Sequence, residues 1–140
     1  MRQDFVLPSY DQEHLNATGL KWDAIAEGSR WLLLHDRPVP SGYTVSTVIT
    51  ALQIPAGYPD AQIDMVYFFP ALVRADGKTI GAVTQFDQAG GAQYAIGGRA
   101  FQRWSRHRTD AAPWRAGEDD VASHLALVDD WLAREFVRNP

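Results

Sequence analysis

Apolar and polar positions along the chain follow two periods, one of strands and one of helices. Ser9-Tyr-Asp-Gln12 sets a hydroxyl three residues before an amide side chain, the pattern of a capping box, and Gly19 is placed to end a short helix after Leu15. Leu20 to Ala26 and Arg30 to His35 flank Glu27-Gly28-Ser29 and predict a hairpin. Trp31-Leu-Leu-Leu34 is continuous rather than alternating, which predicts burial on both faces. Two prolines and a glycine between Asp36 and Gly42 predict a turn, and Tyr43 to Ile54, rich in Val, Ile and Thr, predicts a third strand. Pro55-Ala-Gly-Tyr-Pro59 breaks it. In the fourth strand Ile63, Met65, Tyr67 and Phe69 alternate with Gln62 and Asp64. Four strands on short connections predict an antiparallel meander, because parallel neighbours need long crossovers.

Asp76-Gly77 predicts a further hairpin between Ala71–Arg74 and Lys78–Ile80. From Gly81 to Gly98 the pattern fades: Ala89-Gly-Gly-Ala92 and Gly97-Gly98 predict a long, partly mobile loop, with order returning at Ala100-Phe-Gln-Arg-Trp104. The last element is the clearest. Gly117-Glu-Asp-Asp120 offers three acids to a first helical turn, and Val121, Leu125, Val128, Leu132 and Phe136 follow on one face. Leu127 and Trp131 lie on an adjoining stripe. A helix from Glu118 to Phe136 spans about 28 Å and has the meander as its packing surface. The predicted class is α+β: a four-stranded antiparallel meander with a short N-terminal helix and a long C-terminal amphipathic helix, in a single domain over residues 1–140.

Composition narrows the chemistry. With 140 residues and 46% hydrophobic content the chain can bury a core, and a net charge of −4 argues against a globally basic nucleic-acid binder. There is no cysteine, which excludes disulfides, thiolate metal sites and a cysteine nucleophile. The N-terminus does not read as a signal peptide, and Met65 to Val73 is too short for a membrane span, so a cytoplasmic location without membrane association is expected. No His-x-x-x-His pair, glycine-rich phosphate loop or Gly-x-Ser-x-Gly elbow occurs; neither metal nor cofactor is expected.

Arg99, Arg103, Arg106, Arg108 and His107 crowd into ten residues of an otherwise acidic chain. One reading pairs this basic segment with the acids before the last helix. The other makes it a site for an anionic or carboxylate-bearing partner, since guanidinium forks suit carboxylates. Ser105 and His107 are a hydroxyl and an imidazole two residues apart; on a strand they share a face about 6–7 Å apart, so direct contact requires a turn. Asp110 or an acid of Glu118–Asp120 is a candidate to orient the ring. The plain alternative is that His107 bonds a carbonyl and holds the loop.

The order of these signals resembles the ubiquitin-conjugating-enzyme superfamily. The residues that carry the resemblance are Trp31-Leu-Leu-Leu-His-Asp-Arg-Pro38, Val48-Ile-Thr-Ala-Leu-Gln-Ile-Pro55, Ala56-Gly-Tyr-Pro59 and Ile63-Asp-Met-Val-Tyr-Phe-Phe-Pro70. Arg103-Trp-Ser-Arg-His107, Trp114-Arg-Ala-Gly-Glu-Asp-Asp120 and His124-Leu-Ala-Leu-Val-Asp-Asp-Trp-Leu132 are similar to its prokaryotic family E, and the likeness runs from about Leu7 to Phe136. The resemblance implies a UBC-like fold and a role with a ubiquitin-like protein and an activating-enzyme-like protein. The usual members carry the ubiquitin-like C-terminus on a cysteine and stabilise the oxyanion with a His-Pro-Asn asparagine. This chain has neither; its only asparagines are Asn16 and Asn139.

In the family layout the cysteine precedes the downstream tryptophan by about eight residues, and counting back from Trp114 reaches Ser105, Arg106 and His107. The resemblance thereby implies Ser105 as an acyl acceptor with His107 as its base, and Arg103, Trp104, Arg106, Arg108 and Trp114 as partner-binding residues. Two alternatives stand beside this oxyester reading: a non-catalytic module that docks an activating enzyme or ubiquitin-like protein, and a scaffold unrelated to that chemistry.

Overall fold

The computed structural model describes residues 2–83 and 94–140. The chain runs α1 (Ser9–Ala17), β1 (Trp22–Glu27), β2 (Ser29–Pro38), β3 (Thr47–Ile54), β4 (Val66–Phe69), β5 (Tyr94–Ile96), β6 (Arg99–Trp104) and α2 (Val121–Arg138). The strands form one antiparallel sheet in the order β1-β2-β3-β4-β6-β5. The α+β class holds, and the four strands of the predicted meander are its first four neighbours. The count does not: the sheet has six strands. Gly97 and Gly98, both at positive φ (58° and 80°), make a tight reversal between β5 and β6 where a loop was expected. Two such glycines supply the twist that a two-residue hairpin requires. The expectation for Ala89–Ala92 lies outside the described residues.

β2 has the two-faced burial its unbroken run predicts. Leu32 and Leu34 join the larger core cluster with α2, whereas Trp31 and Leu33 join a second cluster on the opposite face with Tyr67, Ile96 and Phe101. β4 departs from the predicted alternation. Met65 takes φ +56°, so the strand begins only at Val66, and Ile63 packs with Val66 and Phe68 in the larger cluster rather than with Tyr67. The third strand is shorter than expected at its start, because Tyr43 bridges Arg74 and the Thr44 amide donates to the Val73 carbonyl. Asp76-Gly77 does turn the chain, with the Gly77 amide on the Arg74 carbonyl, but no hairpin strands flank it.

Both helix starts differ from expectation. Pro8, not Ser9, is the residue before α1, and Gln12 donates to the Leu7 carbonyl at 2.8 Å instead of closing a capping box. Gly19 follows α1 at φ +74°. A capping box forms at α2: Asp120 accepts from the Ser123 amide at 2.9 Å while the Asp120 amide donates to Ser123 Oγ at 3.0 Å. The acids of Glu118–Asp120 therefore precede the helix rather than fill its first turn.

α2 packs Val121, Leu125, Val128 and Leu132 on the sheet, and Phe136 closes its far end against Tyr43, ring centroids 5.0 Å apart. Gly42 permits that closure. It lies at φ +114°, and a Cβ there would sit 2.4 Å from Phe136 Cζ. Gly42→Ala is expected to cost roughly 2–4 kcal/mol through steric overlap and backbone strain. Urea denaturation checks this; an unchanged midpoint contradicts the packing described.

Candidate functional site

The antiparallel pairing of β4 with β6 builds the site. Val66 pairs with Trp104, so the residues before β4 run alongside those after β6. Asp64 thereby meets His107: Nδ1 donates to the Asp64 carboxylate, 2.9 Å from Oδ1 and 3.0 Å from Oδ2. Asp64 is itself held by the Met65 amide at 3.0 Å. The acid on the ring is thus Asp64, which the β4–β6 pairing brings beside His107, and not Asp110 or one of Glu118–Asp120.

Ser105 leaves β6 with its amide on the Ala82 carbonyl at 2.8 Å and remains partly exposed. It lines an open cleft of about 480 Å³. Arg106, His107 and Arg108 continue that wall; Leu127, Trp131, Arg134 and Arg138 of α2 form the other. Among the described residues no hydrogen bond joins Ser105 to His107.

Arg108 is embedded between two clefts. Its guanidinium lies 5.0 Å from the Trp114 ring centre and 3.7 Å from Asp119, and its Nε and Nη2 are buried without an acceptor. Trp114 donates Nε1 to the Pro59 carbonyl at 3.0 Å and is half-buried, bounding a second cleft with Asp60 and Gln62. Among the described residues the basic segment meets the acids before α2 through Arg108–Asp119 alone, at 3.7 Å.

Two predicted partner-binding residues lie elsewhere. Trp104 is fully buried, its Nε1 on Gln102 Oε1 at 3.1 Å, and has no surface to offer a partner. Strand alternation sends Arg103 to the opposite face of the sheet, where it pairs with Tyr67 and covers the Tyr94 ring at 4.9 Å. Sequence reasoning missed Asp64, 43 positions from its partner, which only the strand pairing brings close. It also missed Arg134 and Arg138, although Leu127, Trp131, Arg134 and Arg138 share one helical face and that spacing was readable.

The family model of prokaryotic E2 family E matches residues 7–135. The chain belongs to this family. Family E membership carries an E2-like role in general, while this member has no cysteine. Neither curated proteins nor solved structures contain a match to the chain. Among the described residues no helix is long and apolar enough to cross a membrane.

Behind the site, His124 couples α2 to Met65, the residue before β4. It is fully buried, its Nε2 donates to the Met65 carbonyl at 2.8 Å, and Nδ1 has no partner. Protonation would place a second N–H in the core without an acceptor. Burial, aided by the nearby Arg108 charge, pushes its pKa down to about 4. The unfolded chain takes up this proton near pH 6.5 and the fold refuses it. Stability is therefore complete above the unfolded value and is lost as pH falls toward about 4, on the order of 3 kcal/mol in all. Urea midpoints between pH 7 and pH 4 are expected to fall more steeply for the native chain than for His124→Leu; parallel profiles contradict this.

Proposed function

We propose that this family E member receives the C-terminus of a ubiquitin-like protein as an oxyester on Ser105, handed over by an activating-enzyme-like protein. The observation that carries the reading is that Ser105 and an aspartate-held His107 line the same open cleft. An alcohol, unlike a thiol, supplies almost no anion at neutral pH and needs a base. Asp64 on Nδ1 fixes the ring so that Nε2 is the nitrogen left to accept a proton, and its charge stabilises the imidazolium that forms.

In the step itself Ser105 Oγ bonds to the acyl carbon of the activated C-terminus and its proton passes to His107 Nε2. The bond from that carbon to the donor's thiol then breaks, and the departing thiolate takes the proton. Arg106, on the same wall, supplies N–H donors for the oxyanion where the family's asparagine is missing. An oxyester is less activated than a thioester toward an amine, so onward transfer is slower than in cysteine-bearing relatives.

A second reading rests on the missing hydrogen bond between Ser105 and His107: the cleft docks the ubiquitin-like protein or the activating enzyme without forming a bond. Mixing the chain with an activating enzyme, a ubiquitin-like protein and ATP from one genome separates the two. The oxyester reading expects an adduct that survives thiol reductant, is cleaved by hydroxylamine and is lost in Ser105→Ala. It also expects roughly 100-fold slower formation in His107→Gln. A complex without an adduct overturns the oxyester in favour of docking.

A further inference from the structure

The charge of the cleft runs against the charge of the chain. Its lining holds Arg106, Arg108, Arg134 and Arg138 against the single carboxylate of Asp130, in a protein of net charge −4. Arg134 Nε donates to Asp130 at 2.9 Å, which neutralises that one acid. Among the described residues Arg106 and Arg138 form no ion pair, and Arg108 has only the 3.7 Å approach of Asp119 while two of its nitrogens lack acceptors. Positive charge is thus concentrated on both walls, and Leu127 and Trp131 share the α2 wall with its two arginines. Arginine forks left without carboxylates in a cleft raise the local concentration of anionic ligands.

The spacing of the helical wall indicates what form the anion takes. Arg134 and Arg138 are four residues apart on α2, a rise of about 6 Å. In an extended peptide, side chains two residues apart point the same way and lie about 6.6 Å apart. A strand-like segment lying along α2 can therefore set alternate side chains opposite Arg138 and the terminal nitrogens of Arg134, whose Nε alone is engaged by Asp130, within the cleft that Ser105 also lines. We infer that the cleft selects a ubiquitin-like protein whose C-terminal tail is extended and carries acidic side chains at alternate positions. This rests on the reading of the cleft as the tail's site, and not on an acyl transfer within it.

The test uses fluorescein-labelled hexapeptides ending in Gly-Gly, with Glu at two alternate upstream positions, or Gln or Lys in their place. Binding is read by anisotropy at 50 mM salt. The Glu peptide is expected to bind at least tenfold more tightly than the Gln peptide, to weaken at 300 mM salt, and to be disfavoured against the Lys peptide by the double variant Arg134→Glu/Arg138→Glu. Thermal melts verify that the variant is folded. Equal affinity for the Glu and Gln peptides overturns the inference, as does tighter binding of the Lys peptide by the native chain. Inorganic pyrophosphate binding more tightly than the Glu peptide also overturns it, making the cleft a small-anion site. None of these peptides carries an activated carboxyl, so a missing protein adduct with selective peptide binding removes the oxyester step alone. An adduct without peptide selectivity removes this inference alone.

Discussion

Everything that faces the cleft depends on where α2 is pinned, and α2 is pinned by buried polar groups at both ends. At its start the Asp11 carboxylate of α1 accepts from the Val121 amide at 3.2 Å and from the Tyr58 hydroxyl at 2.5 Å, while the Tyr58 oxygen accepts from the same amide at 3.0 Å. Asp11 is almost fully buried, and burial pushes its carboxyl above the usual carboxylate value. A negative group at a helix N-terminus meets the positive end of the helix dipole, which offsets part of that desolvation. Three separate stretches of chain thus meet at one amide.

Further along α2, Arg37 grips Asp129 with both fork nitrogens, at 2.7 and 3.0 Å, and the Tyr43 hydroxyl donates to the Leu132 carbonyl at 2.7 Å. At its end Arg74 and Glu135, both buried, pair at 2.9 Å, and Arg74 also reaches the Asn139 carbonyl. Breaking one partner of such a buried pair costs more than the pair contributes, because a charge is left without compensation. Apolar packing presses the helix to the sheet; these directional contacts fix its rotation and register. The side of α2 that carries the exposed Arg134 and Arg138, beside half-buried Leu127 and buried Trp131, borders the cleft opposite Ser105–Thr109 as a result, so the site and the stability of the fold share one set of interactions.

The elements with a strong period were legible in sequence. The core face of α2, the two-sided β2 and the hairpin at Gly28 follow from spacing alone. Local chemistry misled where two signals competed. Ser9 looked like a cap, yet Pro8 already supplies the extended backbone that precedes a helix. Gly97-Gly98 looked like loop, although paired glycines also make the tightest strand reversal. Met65 looked like a strand residue until its positive φ broke the strand. The serine, the histidine and two arginines of the candidate site, Arg106 and Arg108, could be named because they are close in sequence. Asp64 could not, since its position beside His107 is a product of β4–β6 register and not of any local motif. Trp104 was a candidate for partner binding, but alternation along β6 turns it inward.

Backbone amide exchange of the chain, alone and saturated with its ubiquitin-like protein, tests most directly whether this cleft receives that partner's tail. New protection is expected over residues 105–112 and on the 127–138 stretch of α2, abolished when the partner's last residues are removed. Protection confined to the β1–β2 edge, with the cleft amides unchanged, contradicts it.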